Sequence, residues 1–108
     1  MAVTLLAMFK RPEGGDDALS TFLSRYRAEH LPLIAKVPGL RATQVEEVVQ
    51  KYAGDDIVVV TRMMFDDQAA LDAGMASAEM RDAGRNLREI APGLLTLVGL
   101  APESEPAG

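Results

Sequence analysis

The sequence predicts an α+β domain of β-α-β-β-α-β order, the ferredoxin-like arrangement around a four-stranded antiparallel sheet. Three observations carry this. Short apolar runs of strand length alternate with two segments whose apolar residues recur every three to four positions, which is a helical period. Turn clusters such as Gly14-Gly15, Gly54-Asp55-Asp56 and Pro92-Gly93 separate them. The run at 57–65 is apolar at both strand parities, so two layers must cover it, and the helices of one copy supply only one.

Residues 3–9 suit a buried first strand, ended by the turn-rich stretch from Lys10 to Gly15. Asp16 or Asp17 stands where a helix cap is wanted, and either charge suits the positive end of the helix dipole. Leu19, Phe22, Leu23, Tyr26, His30, Leu33, Ile34 and Val37 form one face of the helix that follows. Pro32 carries no N–H and disfavours helical geometry at Leu31, so a kink or break is expected there. A short second helix then starts at Pro32 and closes at Pro38-Gly39. Residues 40–51 read as a strand of mixed polarity and 57–65 as the central one. In the latter, Ile57, Val59, Met63 and Phe65 share one face and Val58, Val60 and Met64 the other. Arg62, inside that strand, needs a counter-charge or an exit to solvent. Gly74 and Ser77 split the second helical region, which begins at Asp66, into a short piece and a helix over 78–91. Residues 94–100 form the last strand. The expected organisation is a single domain over 1–100 with a flexible C-terminal tail over 101–108.

Composition narrows the function. A net charge of −5 with scattered basic residues argues against nucleic acid as a partner. Arg81, Arg85 and Arg88 share a helical face, but Glu79, Asp82 and Glu89 are interleaved with them, the pattern of a solvated, salt-bridged face. No apolar run reaches the roughly 18 residues of a membrane span, so no membrane partner is expected. The first residues lack a basic region and a cleavage site, and together with the absence of cysteine this makes the cytoplasm the expected location. Three of the four acidic doublets fall at turns or helix starts, and no metal site is expected. Nor is there a glycine-rich nucleotide loop, so no cofactor is expected. Six methionines against three phenylalanines suit either an adaptable apolar pocket or ordinary core packing.

His30, the one histidine, stands one helical turn from Tyr26 on the apolar face. Its imidazole can exchange a proton near neutral pH. Periodicity alone favours a core or interface histidine satisfied by backbone, since a lone histidine shows no partner set. The pattern Tyr26-x-x-x-His30-x-Pro32-Leu33, followed by Pro38-Gly39-Leu40, resembles the first-helix signature of the EthD-like family. Met64-Phe65 followed by Asp66-Asp67-Gln68-Ala69-Ala70-Leu71 is similar to its strand-to-helix junction. The resemblance implies a dimeric α+β-barrel protein, hence a homodimer. Its relatives include a protein of ethyl tert-butyl ether breakdown and polyketide-tailoring enzymes.

On that basis His30 and Tyr26 are the candidate catalytic residues, with Phe22, Met63, Phe65 and Arg62 as candidate substrate contacts. The ligand expected is a hydrophobic, aromatic or polyketide-like small molecule. The expected activity is cofactor-free degradation or tailoring of the oxidoreductase, isomerase or decarboxylase type, with His30 moving the proton. Whether the chain is an enzyme stays open. The alternative is a non-catalytic metabolite-binding or stress-related dimeric module in which His30 is structural.

Overall fold

The computed structural model describes residues 1–103. Strand β1 (Val3–Lys10) leads to helix α1 (Gly15–Arg25), a π-helical turn (Tyr26–His30) and the short helix α2 (Leu31–Ile34). Strands β2 (Leu40–Glu47) and β3 (Ile57–Phe65) follow, then helices α3 (Gln68–Met75) and α4 (Ala78–Ile90), and strand β4 (Leu95–Leu100). The sheet order is β2-β3-β1-β4 and every pairing is antiparallel. This is the expected ferredoxin-like α+β fold. Residues 101–103 are exposed and without regular structure; the rest of the expected tail lies outside the described residues. No described helix is long and apolar enough to cross a membrane.

Three local features depart from expectation. The cap of α1 is Gly14 in the left-handed region at φ 109°, without a side-chain cap bond. Asp16 and Asp17 sit two and three positions after it, in the first turn, where only their charge favours the helix. The helix also does not break at Leu31. It widens into a π-turn, in which the Leu31 N–H reaches the Tyr26 carbonyl. In an unbroken α-helix the ring of Pro32 would crowd the Ala28 carbonyl, and widening the turn just ahead relieves that clash without ending the helix. Finally, β2 stops at Glu47, and beyond the single bond from Val48 N–H to Val58 C=O the chain leaves the sheet.

The other junctions follow the sequence. The Asp67 carboxylate accepts the Ala70 N–H at 2.8 Å to start α3. Ser77 serves two helices: its hydroxyl donates to the Gly74 carbonyl at 2.6 Å and accepts the Met80 N–H at 3.1 Å. The corner is tight at Gly74, where a Cβ would come within 2.9 Å of Phe65 Cε1.

All helices lie on one side of the sheet. Strand alternation turns Val3, Leu5, Ala7 and Phe9 of β1 into the core, with Val59, Thr61, Met63 and Phe65 of β3 beside them. Phe9, Phe22 and Tyr26 pack as a trio with ring centroids 5.0 to 5.7 Å apart. The other sheet face is uncovered in the single chain. Register places Leu6 beside Val98 and Arg62, and Met8 beside Val60. Most of this face's apolar residues are half-buried or exposed.

Candidate functional site

A cavity of about 430 Å³ opens between α4, the π-turn and the inner sheet face. Leu5, Ala7, Met63, Leu95 and Leu97 form its floor. Tyr26, His30 and Ile34 form one wall, and Met75, Met80, Ala83, Gly84 and Leu87 another. Arg81, Arg85 and Arg88 stand along α4 at the mouth. The sheet residues reach the cavity because they share the inward parity of β1, β3 and β4.

His30 is 3% exposed. It stacks on Tyr26, with ring centroids 5.1 Å apart and planes at 26°. Its Nδ1 meets Asn86 Oδ1 at 3.2 Å. The protonation of the ring follows from the rest of the network. Asn86 Nδ2 donates to Glu29 Oε1 at 3.1 Å, and an ionised carboxylate can only accept. The amide oxygen of Asn86 therefore faces the imidazole, and His30 must carry its hydrogen on Nδ1. Nε2 is left as the basic nitrogen. The described residues contain no buried side-chain nitrogen or oxygen without a partner, and the one hydrogen bond of His30 is through Nδ1. Nε2 is thus open to the cavity that His30 lines.

Glu29 is itself anchored by two bonds from Arg25, at 2.7 and 3.1 Å, and its carboxyl is held below the ordinary range by that guanidinium. Burial pushes the His30 imidazole below its ordinary pKa, and the bond to Asn86 opposes this in part. The resting ring is neutral at pH 7, able to accept a proton at Nε2.

The hydroxyl of Tyr26 bonds to Thr61 Oγ1 on β3. Both residues are almost wholly enclosed, at 1% and 0% exposure. Burial pushes the phenol up to about 12, with the Thr61 bond opposing, so Tyr26 stays un-ionised. Because its oxygen is committed to the sheet, Tyr26 meets His30 through ring stacking rather than through a hydrogen bond.

Of the sequence candidates, Tyr26, His30 and Met63 come together on this cavity. Phe22, Phe65 and Arg62 are not on its wall. Phe22 is spent on the aromatic trio under α1, and Phe65 packs beneath the α3–α4 corner at Gly74. Arg62 has the outward parity of β3, and its Nε donates to Glu46 Oε1 of the same chain at 3.1 Å.

Sequence reasoning missed Thr61 and Asn86. Each carried a signal. Thr61 is a hydroxyl at the inward parity of an otherwise apolar strand, and Asn86 is an amide beside the stripe Ala83-Leu87-Ile90 of α4. A polar group so placed requires a polar partner.

No family model matches the chain, and no curated protein matches it. Solved structures do. An EthD family protein of Bacillus halodurans superimposes with TM-score 0.83 at 30% identity, over 94% of this chain and 99% of that one. A dimeric ferredoxin-like protein of unknown function from Jannaschia gives TM-score 0.68 at 22% identity, over 94% of this chain and all of the other (100%). SnoaB, a cofactor-independent oxygenase from Streptomyces nogalater, gives 0.59 at 15% identity, over 96% and 95%. The last two likenesses are of fold.

Proposed function

This chain belongs to the EthD family, and we propose that it works as a homodimer in which His30 transfers protons to and from a hydrophobic small molecule held in the α4 cavity. The observation that carries the reading is the division of labour on the imidazole: Nδ1–H is fixed by Asn86, while Nε2 is basic and open to an apolar cavity. A placed base of this kind is worth about 10²–10⁴-fold in rate. Removing a proton from an acidic C–H or O–H of an aromatic or polyketide-like compound leaves an enolate or phenolate. Isomerisation and cyclisation proceed from such an anion, whereas decarboxylation releases one as CO₂ leaves, to be protonated afterwards. The likeness to a cofactor-independent oxygenase supports oxygenation of the anion as the further possibility for this fold.

The dimer reading rests on the uncovered sheet face. Leu6, Met8, Val60, Met64, Val98 and Leu100 share it by strand register around the Arg62–Glu46 pair, and a soluble monomer rarely leaves so many apolar side chains open on one face. A second copy, face to face, is the simplest cover. The Jannaschia structure is described as dimeric. Light scattering should give twice 11.6 kDa for the wild type and the monomer mass for Val60→Asp.

The proton-transfer reading is tested with a carbon acid of cavity size, 2-tetralone, in D₂O. NMR should show α-hydrogen exchange at least a hundredfold faster with wild type than with His30→Ala at equal folded concentration. The two proteins should melt at similar temperatures. Equal exchange rates would refute the role of His30, as would a variant that is destabilised but handles the ketone normally.

A further inference from the structure

We infer that the arginines along α4 form a recognition site for an anionic group, so that the cavity takes a compact aromatic carboxylate: the ring inside, the carboxylate at the mouth. The inference rests on the cavity being a ligand site, and it adds the class of ligand.

Charge placement is the first support. The chain carries 16 acidic against 11 basic residues, yet among the described residues three arginines and no aspartate or glutamate line the cavity. Arg81, Arg85 and Arg88 follow one another at steps of four and three, which stacks them along one face of α4.

The use made of the other arginines is the second. Arg11, Arg25, Arg27, Arg41 and Arg62 lie outside α4, and each has a carboxylate within 4.0 Å. On α4, among the described residues, only Arg85 does, with Asp82 at 3.4 Å. Arg81 donates to the Ala76 carbonyl at 3.1 Å, and Arg88 has no hydrogen-bonded partner among the described residues. Among the described residues, the guanidinium forks without a carboxylate partner are the two that flank the cavity mouth. Their planar donor geometry fits a carboxylate in bidentate fashion.

Gly84 is the third. Glycine in the middle of a helix is unfavourable relative to alanine. Packing does not require it here, since a Cβ at Gly84 would meet only the guanidinium of Arg88, at 3.9 Å. The space its missing side chain leaves belongs to the cavity, directly under Arg88. An aromatic ring seated there brings its carboxylate to the arginines.

Two probes with the same ring and different charge test the inference: 1-naphthoate and 1-naphthamide, titrated by NMR at low salt and pH 7.5. Wild type should bind the carboxylate about tenfold tighter than the amide, a charge-assisted bond discounted for its exposed position. Arg81→Gln/Arg88→Gln should remove that preference and leave amide affinity unchanged. Arg81→Lys/Arg88→Lys should restore part of it. Gly84→Leu should block both probes without lowering the melting temperature. His30→Gln should keep the preference, which separates this inference from the proton-transfer role. Equal binding of the two probes to wild type would overturn it, as would a preference that survives the double glutamine variant or disappears in His30→Gln. If neither probe binds, the cavity is not an aromatic site and the inference falls with that reading.

Discussion

Asn86→Leu is the most direct perturbation of the site, because Asn86 alone decides which nitrogen of His30 is basic. Leucine keeps the branched shape, with bulkier methyl groups, and removes both the oxygen that accepts from Nδ1–H at 3.2 Å and the amide that donates to Glu29 at 3.1 Å. The bond to His30 is neutral and part-buried, and its loss leaves a polar atom of the buried ring without a partner, a cost of about 1–2 kcal/mol. The Glu29 end adds little, since Glu29 is partly exposed and keeps its two bonds from Arg25. Leucine is the better helix former and returns about 0.5 kcal/mol. The net loss is about 1 kcal/mol, or roughly 4–8 °C in melting temperature for a domain of this size.

The diagnostic readout is the imidazole itself. With one histidine in the chain, long-range ¹H–¹⁵N spectra contain a single ring and need no assignment. Wild type should show the neutral tautomer with hydrogen on Nδ1 alone. The variant should show a mixture or the opposite tautomer. Its pKa should move further below the ordinary value of 6.5, because the Asn86 bond is what opposes the effect of burial. A wild-type ring protonated on Nε2, or a pKa that rises in the variant, would refute the network and with it the assignment of Nε2 as the base.

Three further outcomes follow from named contacts. His30 is held below its ordinary pKa, so the unfolded chain binds the extra proton first; stability should be full above pH 6.5 and fall as pH drops through the folded value, a slope that His30→Gln removes in melts recorded from pH 8 to 4.5. Tyr26→Phe should cost about 1–2 kcal/mol by stranding the buried Thr61 hydroxyl, while Tyr26→Phe/Thr61→Val should recover most of it; additive losses in urea melts would contradict the pairing. Gly74→Ala should cost about 1–3 kcal/mol, since its Cβ would lie 2.9 Å from the fully buried Phe65 ring and 3.2 Å from Val37 and the Pro38 carbonyl; an unchanged melting temperature would show that the corner can relax.

The sequence by itself determined the element order, the inward faces of the first helix and central strand, and the closeness of Tyr26 to His30. These are properties of local period, which repeats within a few residues and needs no knowledge of the rest of the chain. Pro32 likewise announced a disturbance in the helix. Tertiary packing decided its form, a widened π-turn, because a turn that keeps both Tyr26 and His30 buried costs less than a break that would expose one of them.

What each polar group meets was also decided by the tertiary structure. His30 and Asn86 are 56 positions apart, and Tyr26 and Thr61 are 35 apart. No local pattern encodes such separations; they follow from how α4 and β3 are laid against the first helix. The arginines of α4 show this most clearly. Their spacing from Glu79, Asp82 and Glu89 suggests pairs along one helix, and Arg85 with Asp82 is such a pair. Glu89 instead faces Arg25 of α1 at 3.8 Å, and the packing of α4 turns Arg81 and Arg88 toward the cavity. Helical spacing fixes which charges can meet along one helix, whereas the neighbouring elements, by offering a competing partner or a cavity, fix which of them do.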